Sequence, residues 1–334
     1  MKKRNVKIDV IRGVAILFVM LGHSIQANLL QGETSNLWLV IRAFQMPLLF
    51  LLSGFTAGYS YPSKNEEHFG FIAKKVKRLL IPYIMWTLIH YVIVCWIPGE
   101  YRNFSLNGLI RELFESDFWF LRYLFMFFFF MWIADELCKV IKYIPAAFML
   151  LLVTSILPII DHIPLLEDSV NLMYWCYFVL GWFAYKFIGK GRFMFLKIVR
   201  SRVDTFWLMF FLLTSIIVCI WGLVQKPNLL IMIGFPLSCA IFAILFLGID
   251  ENSTGKVLRP VSIVGNNTLG LYAVHWCVLF SPLWRIGVYS KILGKLNLYI
   301  RVMVTFLLWC IICFCTIKVI KKSSVAKRIL LGEA

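Results

Sequence analysis

The sequence is poor in charged residues, and in acidic ones above all. Only 15% of its 334 residues are charged, with 17 Asp and Glu against 34 Lys and Arg, whereas 61% are hydrophobic. The mean hydropathy of +0.82 lies far outside the range of ordinary soluble domains. This scarcity of charge excludes a soluble globular protein and predicts one that crosses a membrane several times.

The chain also lacks an internal repeat, a low-complexity linker and any stretch polar enough to fold alone in water. We therefore expect a single all-α domain over residues 1–334. A net charge of +17 would suggest nucleic acid as a partner of a soluble protein, but no basic stripe interleaved with exposed aromatics accompanies it. Membrane topology and anionic lipid account for the surplus better, and the oligomeric state stays open.

Metal ligands and a cleavable leader are not expected either. Most of the nine cysteines lie in or beside apolar runs, and the group Cys310, Cys313 and Cys315 has no neighbouring histidine or carboxylate. No metal is therefore predicted. The first apolar run carries Arg12 and His23 and lacks a small-residue cleavage site, which favours a retained span over a signal peptide.

Apolar runs of about 20 residues predict a bundle of about ten transmembrane helices. They cover residues 10–28, 37–59, 79–97, 118–134, 144–160, 171–188, 205–224, 229–249, 268–284 and 299–320. On this reading 24 of the 34 Lys and Arg residues lie on one side, seven on the other and three inside spans. The positive-inside rule then predicts that the N- and C-termini are both cytoplasmic.

The first span holds two costly residues, Arg12 and His23, eleven positions apart. In a helix that spacing is close to three full turns, so both lie on one face, about 16 Å apart along the axis. A guanidinium grips phosphate and an imidazole transfers protons near neutral pH, which points to an anionic ligand and acid–base chemistry. The structural alternatives are an interfacial Arg12 paired with Asp9, and a His23 that hydrogen bonds between helices.

Two further features have a functional and a structural interpretation. The basic cluster Lys74, Lys75, Lys77 and Arg78 precedes LLIPY and would face cytoplasmic phosphates, or else be an ordinary positive-inside signal. Ser53 and Gly54 lie within the second span, where close helix packing is the default meaning and a polar lining the other.

Five segments in this order resemble the bacterial acyltransferase 3 family, and within it the branch similar to fucose 4-O-acetylase. The segments are DVIRGVAILFVMLGHS with its R-x10-H spacing, FQMPLLFLLSGF, the basic run before LLIPY, FWFLRYLF with Trp119, and VGNNTLGLYAVHW. The resemblance implies a ten-helix acyltransferase of the bacterial cytoplasmic membrane. It would move an acetyl group from cytoplasmic acetyl-CoA to a sugar hydroxyl of a cell-surface or lipid-linked glycan.

The family's essential arginine and histidine fall on Arg12 and His23, which the resemblance implies are catalytic. Its second basic motif falls on Lys75 and Arg78, so that these and Arg12 would bind the CoA phosphates. Its small-residue motif falls on Ser53 and Gly54.

Two residues depart from the family pattern. Lys75 stands where arginine is common and lacks the bidentate fork, and Gln45 replaces a histidine that the related branch often has.

Further cavity candidates are Asp9, Trp119 and the NTL-x-x-Y-x-x-H residues Asn267, Tyr272 and His275. A histidine such as His275 is otherwise a bundle hydrogen-bonding residue, and His90, with no motif around it, is interpreted as a packing or interfacial residue.

The leading hypothesis makes His23 the general base for the acceptor hydroxyl or the carrier of the acetyl group. The alternatives are a transporter or flippase for a lipid-linked glycan, and a ligand-sensing membrane module without chemistry. The sequence does not identify the acceptor or choose between direct and two-step transfer.

Overall fold

The computed structural model of the protein describes residues 5–29, 36–60, 68–97, 104–140, 172–185, 238–239, 241–242, 258–285, 287 and 295–333. Every regular element in these ranges is helical, as predicted. The α-helices are α1 (Val6–Asn28), α2 (Asn36–Ser60), α3 (His68–Lys75), α4 (Ile81–Cys95), α5 (Leu106–Glu115), α6 (Trp119–Val140), α7 (Leu172–Ala184), α8 (Leu258–Asn266), α9 (Thr268–Val274), α10 (Ser281–Arg285), α11 (Leu298–Ile320) and α12 (Ser324–Leu331). Two π-helical segments, Val76–Leu80 and His275–Phe280, join α3 to α4 and α9 to α10.

Within the described ranges, four helices are long and apolar enough to cross a membrane, and up to six if two bent pairs each count as one span. The four are Val6–Asn28, Val40–Gly58, Phe69–Cys95 and Leu298–Ile320. The bent pairs are Leu106–Glu115 with Trp119–Ala134, at 64°, and Leu258–Asn266 with Thr268–Leu283, at 67°. The described part of the chain is therefore all-helical, and the protein is a multi-pass membrane protein.

The predicted spans that lie wholly within the described residues match these helices with shifted ends. The first begins at Val6 rather than at residue 10, because the side chain of Asn5 caps it by accepting from Ile8 N–H at 3.3 Å. The third begins near Phe69 rather than at residue 79, which places the basic cluster inside the helix and not before it. Predicted spans 144–160 and 205–224 lie outside the described residues, and 171–188 and 229–249 lie only partly inside them.

The connection between the third and fourth predicted spans, residues 98–117, contains a helix, α5. It starts at Ser105, whose hydroxyl accepts from Gly108 N–H at 3.0 Å. Two tyrosines of α4 hold it: Tyr83 donates to the Leu113 carbonyl, and Tyr91 donates to the Ser105 carbonyl at 3.1 Å. Hydropathy alone does not predict this helix, because the residues that hold it lie on another helix.

The chain forms two compact units. The first comprises Met1–Leu49, Lys77–Trp119 and Ile233–Ala334, and the second comprises Phe50–Val76 and Phe120–Met232. Each unit has its own helix crossings.

In the first unit, α1 and α8 cross with their backbones in contact. A Cβ atom on Gly13 would lie 2.1 Å from the Val261 carbonyl oxygen, and one on Gly265 would lie 1.7 Å from that of Asp9. Real Cβ atoms essentially never come this close, so both positions require glycine. Small residues at such crossings let membrane helices approach closely.

The carboxyl-terminal helix α12 packs against α4. The indole of Trp86 donates to the Leu330 carbonyl at 2.8 Å. The chain then turns at Gly332, whose φ of +60° favours glycine and whose Cα faces the backbone of Arg78. The backbones of Arg78 and Gly332 are therefore in close contact.

In the second unit, α2 and α7 also cross through glycines. A Cβ on Gly54 would lie 1.7 Å from the Phe178 carbonyl oxygen, and one on Gly181 would lie 1.8 Å from that of Leu51. Close packing is thus the role that this geometry gives Gly54.

Candidate functional site

Arg12 lies on α1 beside the acidic residue three positions before it. Its Nη1 atom is 3.8 Å from Oδ1 of Asp9, and the Asp9 side chain is 4% exposed whereas that of Arg12 is 34% exposed. The pairing proposed as the structural alternative is therefore present. The guanidinium nevertheless keeps part of its surface open to a ligand.

His23 lies on the same uninterrupted helix, so the helical geometry that was predicted to relate it to Arg12 is confirmed. Its Nδ1–H donates to Oε1 of Gln26 at 3.3 Å. In a neutral imidazole this bond leaves the lone pair on Nε2. His23 therefore has the nitrogen that a general base or a nucleophile uses.

Aromatic rings surround His23. Its centroid lies 5.3 Å from that of His275, 4.9 Å from that of Trp276 and 5.2 Å from that of Phe280. All three neighbours belong to the π-helical segment after α9. We call His23, His275, Trp276 and Phe280 the histidine pocket.

His275 is fully buried and has one ring nitrogen satisfied. Its Nδ1–H donates to the Leu271 carbonyl at 2.7 Å, while Nε2 has no hydrogen-bond partner among the described residues. Buried polar atoms rarely remain unpaired, and each such atom needs an explanation. In both His23 and His275, Nδ1–H donates a hydrogen bond, so the lone pair of each neutral imidazole is on Nε2.

Gln45 of α2 comes close to α1 beside the histidine pocket. A Cβ on Gly22, the residue before His23, would lie 2.8 Å from Oε1 of Gln45. The Gln45 side chain is buried, and its Oε1 has no hydrogen-bond partner among the described residues. The residue that replaces the expected histidine is therefore a buried acceptor near His23.

Tyr272 and Asn267 have different positions relative to the pocket. The Tyr272 ring is 6.2 Å from His275, and its hydroxyl donates to the Asp117 carbonyl at 3.5 Å. Asn267 lies at the bend between α8 and α9, where its Nδ2 donates to the Ile263 carbonyl at 2.7 Å. Tyr272 is thus a neighbour of the pocket, whereas Asn267 caps α8.

The two residues of the second basic motif have different surroundings. Lys75, in the second unit, places its Nζ 3.5 Å from the Phe128 ring centroid and 4.9 Å from that of Phe71. Arg78, in the first unit, is exposed on the π-helical segment. Lys75 therefore makes cation–π contacts, and Arg78 is open to an anion.

The remaining predicted site residues, Ser53 and Trp119, lie in helices, outside the group defined as the histidine pocket. Ser53 is half-buried beside Gly54 in the second unit. Trp119 begins α6 and is half-buried. Its neighbour Phe118 is fully buried, with its ring 6.2 Å from that of Tyr272.

Sequence reasoning missed His90, which is 2% exposed and forms a second site. Its Nδ1–H donates to Oε1 of Glu112 at 3.3 Å, and its Nε2 lies 2.9 Å from Oγ of Ser281. Oδ2 of Asp117 is 3.9 Å from the same Nε2. We call His90, Glu112, Asp117 and Ser281 the His90 cluster. Its signal in the sequence is the group of acidic residues just before FWFLRYLF, which are Glu112, Glu115 and Asp117.

His90, Glu112 and Asp117 also have the spacing of a metal site, with one ligand atom from each residue within 4.8 Å of the others. Glu112 and Asp117, however, face opposite nitrogens of the imidazole. An ion bound to either nitrogen would have to replace the contact which that nitrogen makes with an oxygen of Glu112 or Ser281. The geometry fits a hydrogen-bonded relay better than a metal centre.

Comparison with known proteins agrees with this chemistry. The family described as "Acyltransferase domain", the acyltransferase 3 family, matches residues 5–320. The chain has no significant match among curated proteins or among solved structures. The family match extends from the start of α1 to the end of α11 and includes both histidine sites. The chain therefore belongs to the acyltransferase 3 family and is a membrane acyltransferase.

Proposed function

We propose that the protein is an O-acetyltransferase of the bacterial cytoplasmic membrane, on the pattern of the fucose 4-O-acetylase-like branch. It takes an acetyl group from cytoplasmic acetyl-CoA and transfers it to a sugar hydroxyl of a cell-surface or lipid-linked glycan. The family match supports acyl transfer. The bias of Lys and Arg supports ten spans with both termini in the cytoplasm.

The observation that carries this proposal is the pair of imidazoles, 5.3 Å apart, in the histidine pocket. Each donates from Nδ1 to an oxygen, on Gln26 or on Leu271, and so keeps its lone pair on Nε2. Acyl transfer to a hydroxyl needs such a nitrogen, because an alcohol is a weak nucleophile until a base takes its proton.

Arg12 supplies the charge for the donor. A guanidinium binds phosphate through a planar fork, and this one is partly exposed on the helix that carries His23. The backbones of Arg12 and His23 are about 16 Å apart along α1, a distance that the pantetheine arm of CoA can bridge. Arg78 is proposed as a second phosphate ligand, and the role of Lys75 stays a prediction from the family motif.

The reaction can take two forms. In the direct form, Nε2 of His23 removes the proton of the sugar hydroxyl, whose oxygen attacks the thioester carbonyl. The carbon–sulfur bond breaks, and CoA leaves as the thiol with that proton. In the two-step form, Nε2 of His23 first takes the acetyl group itself and then passes it on.

Purified full-length protein with radiolabelled acetyl-CoA tests the function. We expect release of CoA thiol that increases when methyl glycosides of common hexoses and deoxyhexoses are added, with an acetylated glycoside as product. His23→Ala should lower this rate about 10³-fold, since a positioned base contributes 10²–10⁴-fold. A folded His23→Ala variant with undiminished transfer would refute the assignment.

A matched pair of arginine variants tests the donor site. Arg12→Lys keeps the charge but loses the fork, so the KM for acetyl-CoA should rise about 10-fold. Arg42→Lys is the control, because Arg42 is an exposed arginine 5.1 Å from the Trp38 ring. Equal KM values for the two variants would remove Arg12 from phosphate binding.

A further inference from the structure

The His90 cluster has the parts of a nucleophilic relay. The Ser281 hydroxyl lies 2.9 Å from Nε2 of His90, and the other ring nitrogen donates to the Glu112 carboxylate. A nucleophile within hydrogen-bond reach of a base, with the base held by a third group, is the signature of an activated serine. Such an arrangement is identified by its geometry and not by the order of its residues in the sequence. Here His90, Glu112 and Ser281 come from three helices, α4, α5 and α10.

The cluster adjoins the histidine pocket. Phe280, whose ring is 5.2 Å from that of His23, directly precedes Ser281 in the chain. On the other side, the Phe118 ring lies 5.9 Å from His90 and 6.2 Å from Tyr272, which in turn contacts His275. Phe280 and Ser281 therefore link the two sites, because the Phe280 ring contacts His23 and the Ser281 hydroxyl contacts His90.

Burial differs across the cluster. Ser281 is 4% exposed and His90 is 2% exposed, whereas the side chain of Asp117 is 41% exposed. An ester on Ser281 would be shielded from bulk water, which limits its hydrolysis. The Asp117 edge is where a polar acceptor can approach.

We propose that Ser281 is a covalent acyl carrier, activated by His90 and with His90 oriented by Glu112. This inference rests on the proposed function in its two-step form. The acetyl group passes from CoA to His23, then to Ser281, and finally to the sugar hydroxyl. Transport from one end of α1 to the acceptor is thereby divided into successive transfers.

Each transfer balances. In the first, Nε2 of His23 attacks the thioester, the carbon–sulfur bond breaks, and the thiolate takes the Nδ1 proton. In the second, Oγ of Ser281 attacks the acetyl carbon and its proton passes to His90. The bond from that carbon to Nε2 of His23 breaks, and the imidazole regains a proton from His90. In the third, the sugar oxygen attacks the ester, its proton passes to His90, and Oγ leaves with that proton.

The test is labelling of the full-length protein with radiolabelled acetyl-CoA in the absence of acceptor. After an acid quench, which preserves serine esters, peptide mass spectrometry should find the acetyl group on Ser281. Addition of an acceptor glycoside should remove the label. A wild-type protein that turns over while the Ser281 peptide stays unlabelled would overturn the proposal.

Variants separate this role from a structural one. Ser281→Ala should abolish both the ester and sugar acetylation, and Ser281→Cys should restore labelling as a hydroxylamine-sensitive thioester. Ser238→Ala is the matched control, because Ser238 is a buried serine that donates to the Phe44 carbonyl at 3.3 Å, and it should label as wild type. His90→Gln keeps hydrogen bonding but cannot accept the proton, so labelling should slow about 10²-fold or more.

The outcomes distinguish the two proposals. Full sugar acetylation by Ser281→Ala would overturn the serine carrier and leave the acetyltransferase assignment standing. Absence of thiol release from the wild-type protein under all conditions would refute the proposed function and the carrier with it.

Discussion

The histidine pocket and the His90 cluster both hold buried imidazoles, yet their neighbours differ. In the pocket, His23 and His275 contact aromatic rings, and Nε2 of His275 has no hydrogen-bond partner among the described residues. In the cluster, both nitrogens of His90 face oxygens, from Glu112 on one side and from Ser281 on the other. An orphaned nitrogen is suited to take a proton or an acyl group from a ligand, whereas a fully bonded one is suited to pass protons between fixed partners.

The first test of this difference removes Nε2 of His275. In His275→Gln, the amide can still donate to the Leu271 carbonyl but offers no base, so we expect kcat to fall about 10²-fold, equal to about 2.7 kcal/mol. The KM for acetyl-CoA should stay unchanged, and steady-state thiol-release kinetics measure both.

Val278→Ala provides the matched control for His275→Gln. Val278 lies on the same π-helical segment, and its side chain is 38% exposed. Its truncation should change kcat little. Equal effects of the two variants would mean that His275 only supports the segment.

The second test disturbs the crossing that holds α1 against α8. Gly265→Ala would place a methyl group 1.7 Å from the Asp9 carbonyl oxygen, against rigid backbone. Overpacking of this kind costs about 2 kcal/mol, so the midpoint of thermal unfolding in detergent should fall by several degrees. Activity should fall as well, because the Asp9–Arg12 end of α1 must move.

Gly70→Ala is the control for that crossing. Gly70 lies in α3, and an added Cβ there would meet nothing within 4 Å. Alanine is the better helix former, so this variant should be neutral or slightly more stable. If both alanine variants unfolded at the same temperature, the crossing would not be tight.

The third test removes the hydrogen bond that fixes the tautomer of His23. Gln26→Leu removes the acceptor of the Nδ1–H, so the proton can move to Nε2 and block the base. We expect kcat to fall about 10-fold, as for a lost hydrogen bond that orients a base. Gln26→Glu keeps an acceptor and should retain activity. A similar loss in both variants would show that packing, and not the hydrogen bond, explains the effect.

The sequence predicts α1 well because the evidence for it is local. The apolar run and the R-x10-H spacing both lie within the helix itself. The same holds for α11, where the apolar run 299–320 nearly matches Leu298–Ile320. Where neighbouring residues determine the conformation, periodicity is sufficient.

The second site could not be predicted because its residues meet only through tertiary contacts. His90 is 22 residues from Glu112 and 191 from Ser281 in the sequence. No motif surrounds His90 in the sequence, and Glu112 and Asp117 lie in the connection between two predicted spans. The π-helical turn that brings His275 to His23 has no sequence signal of its own either. Of the pocket residues, the family motifs therefore predict only His23 and His275.

The smallest effect is expected for two threonines, one beside the His90 cluster and one beside the helix that carries His23. Thr87 and Ser116 hydroxyls are 2.9 Å apart beside the His90 cluster, and Thr305 accepts from Nδ2 of Asn28 at 3.0 Å on α1, the helix that carries His23. Replacing either threonine by valine removes one hydrogen bond at nearly constant shape, which costs about 1 kcal/mol of unfolding free energy.

The two valine variants should lower the unfolding midpoint alike but differ in kinetics. Ser116 also accepts from Phe118 N–H at 3.1 Å, at the corner that carries Asp117. Thr87→Val should therefore slow transfer from Ser281 to the sugar and leave the acylation of His23 unchanged, whereas Thr305→Val should slow the acylation of His23. Rapid-quench measurement of the two transfers resolves them. If both variants slowed the same step, the two histidine sites would act as a single unit.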